Sequence, residues 1–114
     1  MDGVKRGDLV TIAVSGDYGK PRPALVVQAD AFAALGAVTV LRLTSEVHDW
    51  PIFRVTVEPS AGNGLRTRSQ VMVDRAVCLP REKVGAVFGR LEADTLRDVS
   101  RTLAAFLGLD GVGV

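Results

Sequence analysis

An arginine lies between two prolines in the segment KPRPALVVQ, residues 20–28. Each proline fixes φ and removes a backbone donor, and Pro23 also pushes the preceding residue towards extended geometry. The side chain of Arg22 is therefore held in a narrow range of directions. Because a planar guanidinium is always charged and can bind two phosphate oxygens at once, this position is a candidate anion-binding or catalytic site.

Other candidates end strands or lie in polar loops. Thr44 and Ser45 end an apolar run and could donate hydroxyl hydrogen bonds to a phosphate, although Thr44 could equally be a residue that completes its strand. His48 is the residue type most used for acid–base catalysis, or else a loop histidine beside Asp49. The indole of Trp50 could stack on an unpaired base, worth roughly 1–3 kcal/mol, or anchor the loop to the core.

The charge balance excludes a non-specific nucleic-acid coat. Fourteen Lys and Arg oppose thirteen Asp and Glu, which gives a net charge of +1. A role with nucleic acid would therefore need local positive patches. Such patches are present, with ordinary solvated surface charge as the alternative interpretation, at Lys5, Arg6, Lys20, Arg22, Arg66, Arg68 and Arg75.

Length and composition predict one domain over residues 1–114. The apolar runs are shorter than the roughly 20 residues that cross a bilayer, and the N-terminal segment MDGVKRGD has no apolar signal region, so we expect a cytoplasmic protein without a membrane partner. One cysteine and one histidine give no internal disulfide and no zinc ligand set, and we expect no metal and no cofactor. Cys78 is predicted to be a small buried residue.

Alternating and apolar segments predict a mainly β protein. The segment from Ile52 to Glu58 alternates between apolar and polar residues, as a half-buried strand does, whereas the apolar residues 24–28 are predicted to be buried on both faces. The predicted strands are residues 8–14, 24–28, 37–44, 52–58 and 69–73, with shorter candidates at 77–79 and 84–87.

The period changes near the C-terminus, where apolar residues from Leu96 to Leu107 follow helical spacing. This pattern predicts one long helix that begins near Glu92 and stops at Gly108. Several short strands followed by one helix predict a small antiparallel barrel or half-barrel with a helix packed against it.

The order of these segments resembles the MazF/PemK family of toxin endoribonucleases from bacterial toxin–antitoxin pairs. The resemblance covers about residues 4–109, which we take as the ordered core. It is carried by KRGD at 5–8, RP at 22–23 running into ALVVQ, LT at 43–44, SQVMVD at 69–74, VG at 84–85, GRL at 89–91 and LGL at 107–109. It implies an SH3-like or plug-type barrel, as in MazF and CcdB, with one C-terminal helix.

The resemblance also implies sequence-specific, metal-independent cleavage of single-stranded RNA such as mRNA. The RNA 2′-OH would attack the adjacent phosphate, which requires a proton acceptor, a proton donor and a fixed positive charge. The family's catalytic arginine and functional threonine correspond to Arg22 and Thr44. Homodimerisation and neutralisation by a cognate MazE-like antitoxin peptide are further implications.

Asp74 corresponds to an acidic residue that some members use as a base or as a substrate contact. Certain members pair it with an arginine two residues earlier, where this chain has Met72. Arg68 or Arg75 could compensate, or Asp74 could position Arg22 or bind a nucleobase. The residues expected to contact RNA are Lys20, Ser45, His48, Trp50, Arg66, Arg68 and Arg75.

Two non-catalytic alternatives remain from the sequence. Relatives of this fold that poison DNA gyrase depend on a C-terminal Trp-Gly-Ile, whereas this chain ends in GVGV. A barrel that binds RNA or a peptide without cutting it is favoured only by Met72, which replaces the arginine.

Overall fold

The computed structural model describes residues 3–13 and 20–111. Within them the chain forms six strands, two short 3-10 turns (Asp30–Phe32 and Arg81–Lys83) and one C-terminal helix. The strands are β1 (Asp8–Ala13), β2 (Pro21–Val26), β3 (Ala37–Thr44), β4 (Arg54–Val57), β5 (Ser69–Pro80) and β6 (Val84–Arg90), and the helix is α1 (Ala93–Phe106).

All six strands belong to one antiparallel sheet in the order β4-β5-β3-β2-β1-β6. The mainly β class with one C-terminal helix is confirmed. Of the expected barrel or half-barrel, the structure shows an open sheet, because the edge strands β4 and β6 do not pair with each other. The loop after β4 spans this gap instead: the amide of Arg90 donates to the carbonyl of Gly62 at 2.9 Å. A Cβ at Gly89 would lie 2.1 Å from the carbonyl oxygen of Asn63, so this close approach requires glycine.

β2 begins three residues earlier than the sequence predicts, at Pro21 instead of Ala24. The prolines fit because residues 21–23 pair with β1, whereas the pairing with β3 covers only residues 24–26. A proline is tolerated where a strand has a partner on one side alone, since its missing donor breaks no ladder hydrogen bond there. The entry segment of β2 is therefore a local sheet edge.

β5 is one long strand that joins two predicted strands, 69–73 and 77–79. Its pairing with β3 is irregular: Leu41 faces Ala76, but Leu43 faces Val71. Four residues of β5 thus span the distance that one residue of β3 covers, which is a bulge that bends the strand. The residues in this bulge are 72–75, and they include Asp74.

Two hydrophobic clusters lie on opposite faces of the sheet. One contains Leu9, Leu25, Leu43, Val71 and their neighbours and is covered by Val99, Leu96 and Leu103 of α1. The other contains Val10, Ile12, Ala24, Val26, Val38, Val40 and Leu79. The full burial of residues 24–27 agrees with the prediction that this segment is covered on both faces.

Cys78 is exposed, so the prediction that it is buried is wrong. Its neighbours Val77 and Leu79 pack on the second cluster, and the alternation of a strand turns the residue between them away from it. The helix ends close to the predicted residue, because Gly108 has a φ of +73° and its amide donates to the carbonyl of Ala105. No helix in residues 3–13 and 20–111 is long and apolar enough to cross a membrane.

Candidate active site

Arg22 and Thr44 lie at neighbouring ends of β2 and β3. Ala24 pairs with Arg42 and Val26 with Val40, so Arg22 precedes the paired residues of β2 by two positions and Thr44 follows those of β3 by two. Residues two apart on a strand point to the same face, so both side chains belong to the face that carries the second cluster. The sheet therefore replaces apolar residues by a guanidinium and a hydroxyl at this end.

A groove with a volume of about 570 Å³ opens at this place. Its walls are the start of β2, the end of β3, the loop between β4 and β5, and the edge strand β6. The lining residues are Thr11, Arg22, Pro23, Arg42, Leu43, Thr44, Ser45, Gly64, Leu65, Arg66, Thr67, Ser69, Met72 and Phe88.

Four of the predicted site residues line this groove: Arg22, Thr44, Ser45 and Arg66. Thr44 has a defined hydrogen-bond state, because its hydroxyl oxygen accepts from the amide of Glu46 at 3.0 Å. The hydroxyl hydrogen is then available to donate to a group in the groove. A cation and a hydroxyl donor thus line one concave site, which suits an anion.

The other predicted residues lie outside the described lining. Asp74 is in the bulge of β5, with its side chain 29% exposed and its Oδ2 3.7 Å from Nε of Arg75. Arg68 pairs with Glu58 at 2.9 Å, which directs it towards the end of β4. Lys20 is exposed before β2. The preceding residues 14–19 lie outside the described residues.

Sequence reasoning missed several groove residues. Arg42 interrupts the apolar run AVTVLRLT, and this single charge inside a strand is the signal that could have indicated it. Thr11 and Phe88 gave no local signal, because they come from β1 and β6 and reach the groove only through the strand order. Their contribution depends on tertiary structure.

The loop after β3 carries a stack of aromatic and cationic side chains. The rings of His48 and Trp50 lie 4.0 Å apart and nearly parallel, at 10°, and Phe53 follows at 5.5 Å from Trp50. The guanidinium of Arg54 lies 5.0 Å from the centre of the indole ring, as in a cation–π contact. His48 Nε2 is 3.3 Å from a carboxylate oxygen of Glu46. One face of the indole is therefore covered by the imidazole.

Gln70 holds this loop to the sheet and is only 3% exposed. Its amide oxygen accepts from the backbone amide of His48 at 3.1 Å and from Arg54 at 3.3 Å. Its amide nitrogen donates to the carbonyl of His48 at 2.8 Å and to the hydroxyl of Thr56 at 3.1 Å. Both donors and both acceptor sites of the side chain are thus used.

Asn63 is fully buried and holds the loop between β4 and β5 in place through its side-chain amide. Its amide oxygen accepts from the backbone amides of Ser60 and Leu65, both at 3.0 Å. Its amide nitrogen donates to the carbonyl of Glu58 at 2.9 Å and to the carboxylate of Glu92 at 3.2 Å. The loop that carries Arg66 and Thr67 into the groove is therefore fixed from inside.

Glu92 links this loop to the beginning of α1. The hydroxyl of Ser60 donates to its second carboxylate oxygen at 2.6 Å. This hydrogen bond, helped by the backbone amide of Glu92 and the side chain of Asn63, lowers the pKa of Glu92 below its ordinary value of 4.5, against opposing effects of burial and of Asp94. The carboxylate is held in its charged form.

Within the part of the chain that the structure describes, no three His, Cys, Asp or Glu side chains are grouped as metal ligands are. The groups that line the groove are arginines, hydroxyls and apolar side chains. The chemistry available from these groups is charge stabilisation and hydrogen bonding to an anion.

The fold and groove define a class of protein. Residues 5–107 match the family described as the PemK-like, MazF-like toxins of type II toxin–antitoxin systems. The chain belongs to this family, which confirms the resemblance inferred from the sequence motifs.

Individual relatives support this assignment. The chain is 39% identical over 109 residues to a protein of Mycolicibacterium smegmatis named probable endoribonuclease MazF, with coverage of 95% of this chain and 100% of that protein. It is similar to MazE–MazF from Deinococcus radiodurans, with a TM-score of 0.76 and 27% identity over 95% of this chain and 99% of that chain. An endoribonuclease in complex with its cognate antitoxin, from a mycobacterial species, has a TM-score of 0.80 at 24% identity, over 94% of this chain and 97% of that chain. The enzyme class expected from the sequence is the one named for these relatives.

Proposed function

We propose that the protein is an endoribonuclease toxin that cleaves single-stranded RNA, mRNA included, in the groove between β2, β3 and the β4–β5 loop. The observation that carries the proposal is that Arg22 and Thr44 line one groove. The relative named probable endoribonuclease MazF supports the same activity.

The proposed reaction uses the RNA's own nucleophile. The 2′ oxygen bonds to phosphorus and gives up its proton, the bond to the 5′ oxygen breaks, and that oxygen takes a proton, leaving a 2′,3′-cyclic phosphate and a 5′-OH. Arg22 stabilises the charge that develops on the non-bridging oxygens, and Thr44 donates its hydroxyl hydrogen to the same phosphate. This chemistry requires no metal ion.

Asp74 receives a different role from that of a base. It lies in the bulge of β5, two residues after Met72, which lines the groove, and its carboxylate faces Arg75. We assign it the positioning of β5 and of Arg75 beside the bound RNA.

The remaining predicted contacts fall into two groups in this proposal. Ser45 and Arg66 line the groove and contact nucleotides next to the cleaved bond. Outside it, Lys20, Arg68 and Arg75 attract the RNA backbone. The His48–Trp50 stack offers the outer face of the imidazole to an unpaired base, because the imidazole covers one indole face. These contacts would give the enzyme its sequence preference.

The proposal includes the family's partners. The toxin would act as a homodimer in the cytoplasm and would be neutralised by a cognate MazE-like antitoxin, for which the antitoxin complexes among the similar structures provide the precedent. An acidic, partly disordered antitoxin segment that folds on binding would complement the arginines of the groove.

The test is cleavage of a mixed-sequence single-stranded RNA in the presence of EDTA by the parent protein and by Arg22→Ala. We expect cyclic-phosphate ends from the parent and a loss of roughly 10²-fold or more in rate for the variant, the scale of removing one transition-state donor. Arg97→Ala is the matched control, because Arg97 is an exposed arginine of α1 that does not line the groove.

Each other outcome contradicts a particular part of the proposal. Binding of RNA without products would indicate a non-cutting barrel, and stalled gyrase would indicate a gyrase poison. Cleavage that stops in EDTA would contradict the metal-independent mechanism. An Arg22→Ala variant that cuts at nearly the parental rate would remove Arg22 from the catalytic site.

A further inference from the structure

The groove combines a charged part with an apolar part. Its apolar lining residues are Pro23, Leu43, Leu65, Met72 and Phe88. A phosphate is bound by cations and hydrogen-bond donors, so the arginines and hydroxyls of the groove suffice for it. Apolar side chains beside them offer a phosphate no contact of this kind. The apolar part of the groove therefore indicates a second, uncharged group of the ligand.

An apolar wall is formed where the β4–β5 loop meets β6, by Gly64, Leu65 and Phe88. Leu65 and Phe88 are partly buried and pack against the hydrophobic cluster that α1 covers. A Cβ at Gly64 would lie 2.5 Å from the carbonyl oxygen of Phe88 and 3.3 Å from Cδ1 of its ring, so the loop backbone lies directly against this residue. Asn63 fixes the loop at the neighbouring position. A wall that is ordered before its ligand arrives loses little conformational entropy on binding.

The apolar wall lies across β1 from the proposed phosphate site. β1 is the strand between β2, which carries Arg22, and β6, which carries Phe88. Arg22 pairs with Ile12 of β1, and Val87, the residue before Phe88, pairs with Val10. Two steps across a sheet are roughly 10 Å, and the two positions on β1 are two residues apart. A group that is covalently attached to the phosphate can therefore reach the apolar wall within the same groove.

We propose that the apolar wall binds the nucleobase next to the cleaved bond, in contact with the ring of Phe88 and the side chain of Leu65. This inference rests on the proposed function and deepens it. The base is joined through its sugar to the phosphate that Arg22 and Thr44 contact, so the two parts of the groove bind neighbouring parts of one RNA strand. A base that is paired in a duplex is not free to enter such a site, which gives the preference for single strands a structural cause.

RNA that lacks single bases tests this contact. A short single-stranded RNA with one cleavage site is made with one abasic nucleotide at successive positions around the cleaved bond. For the parent at RNA concentrations below saturation, one abasic position next to that bond should lower the single-turnover rate roughly tenfold or more, the scale of losing one base–aromatic contact.

The variant Phe88→Ala shows whether that base lies on the ring. It should cut the intact RNA more slowly than the parent by a similar factor. Removal of the same base should then lower its rate further by less than about threefold, because the contact is already absent and the two losses are not independent. A purely structural role for Phe88 would leave the effect of the missing base unchanged.

Two further variants control for folding and for loss of an aromatic ring. Phe106→Ala removes an exposed phenylalanine of α1 that does not line the groove, and it should respond to the abasic RNA as the parent does. Phe88→Leu keeps an apolar side chain against the cluster but has no ring. Thermal unfolding shows which variants are folded, and Phe88→Leu supplies the comparison should Phe88→Ala fail to fold.

The outcomes distinguish this inference from the proposed function. A parent protein that does not cut RNA overturns the proposed function, and the base contact with it. A parent that cuts, but whose rate no abasic position near the bond lowers, overturns the base contact alone. The same holds where the losses from the missing base and from a folded Phe88 variant multiply, which would show that the apolar wall serves another occupant, such as an apolar side chain of an antitoxin.

Discussion

The two loops that flank β4 are held by the same device. Each is fixed by one buried amide side chain, Gln70 for residues 45–53 and Asn63 for residues 58–68, and each amide uses both donors and both acceptor sites. One loop thereby presents an aromatic stack and the other presents a wall of the groove. Complete satisfaction of a buried amide gives a loop one conformation without a hydrophobic core of its own.

The two amides differ in the side chains that they bind. Gln70 binds the backbone of His48, the hydroxyl of Thr56 and the guanidinium of Arg54. Asn63 binds a carboxylate, Glu92, which also joins the loop to the beginning of α1. The first loop is therefore fixed to its own strands, and the second depends on an ionised group from a distant part of the chain.

The largest effect is expected from Asn63→Ala. The substitution leaves two backbone amides and one carbonyl without their side-chain partner and removes one hydrogen bond of the Glu92 carboxylate, so the free energy of unfolding should fall by about 2–4 kcal/mol. Unfolding in urea measures this change in the free energy of unfolding. Thr67→Ala, an exposed change in the same loop, should stay within about 0.5 kcal/mol. A loss below about 1 kcal/mol for Asn63→Ala would show that the loop does not depend on this amide.

Gln70→Ala should have a smaller effect on stability, about 1–3 kcal/mol, because Gln70 binds two backbone groups, both of His48, whereas Asn63 binds three. The clearer measurement is the fluorescence of Trp50, the only tryptophan. Release of the loop should shift its emission to longer wavelength, whereas Asn63→Ala in its folded state should leave the emission unchanged. Equal shifts in both variants would show that the two loops are not held independently.

The smallest effect is the pH dependence of the Glu92 link. Because the pKa of Glu92 is lowered in the folded protein, its contribution to stability is fully present above about pH 4.5 and is lost as the pH falls through the folded pKa. The free energy of unfolding should therefore fall more for the parent than for Glu92→Gln between pH 5 and pH 3. Parallel curves for the two proteins over this interval would contradict the assigned link.

Local patterns predicted the elements that are stabilised by near neighbours. Residues 37–44 and the helix ending before Gly108 were predicted within one or two residues, because hydrophobic period and glycine conformation are local. The single long strand β5 and the open sheet were not predicted. The bulge in β5 and the loop that lies between β4 and β6 depend on contacts between distant segments of the chain.

The same distinction applies to the groove. Arg22 and Thr44 carry a local sign of function, a proline-flanked arginine and a hydroxyl at a strand end, and both line the groove. Asp74 was indicated only by the family resemblance and lies in the bulge, whose position follows from the pairing of β5 with β3. Arg42 carried a local sign as well, a single charge inside an apolar strand, which the sequence analysis did not use.

The open edge between β4 and β6 has a consequence for how such a protein can change. A loop, attached through Gly62 to Arg90, occupies the place where a closed barrel would have ladder hydrogen bonds between strands. Residues can be inserted into or removed from that loop without shifting the register of any strand. The shape of the groove can thus diverge between descendants while the sheet that carries the guanidinium groups is inherited unaltered.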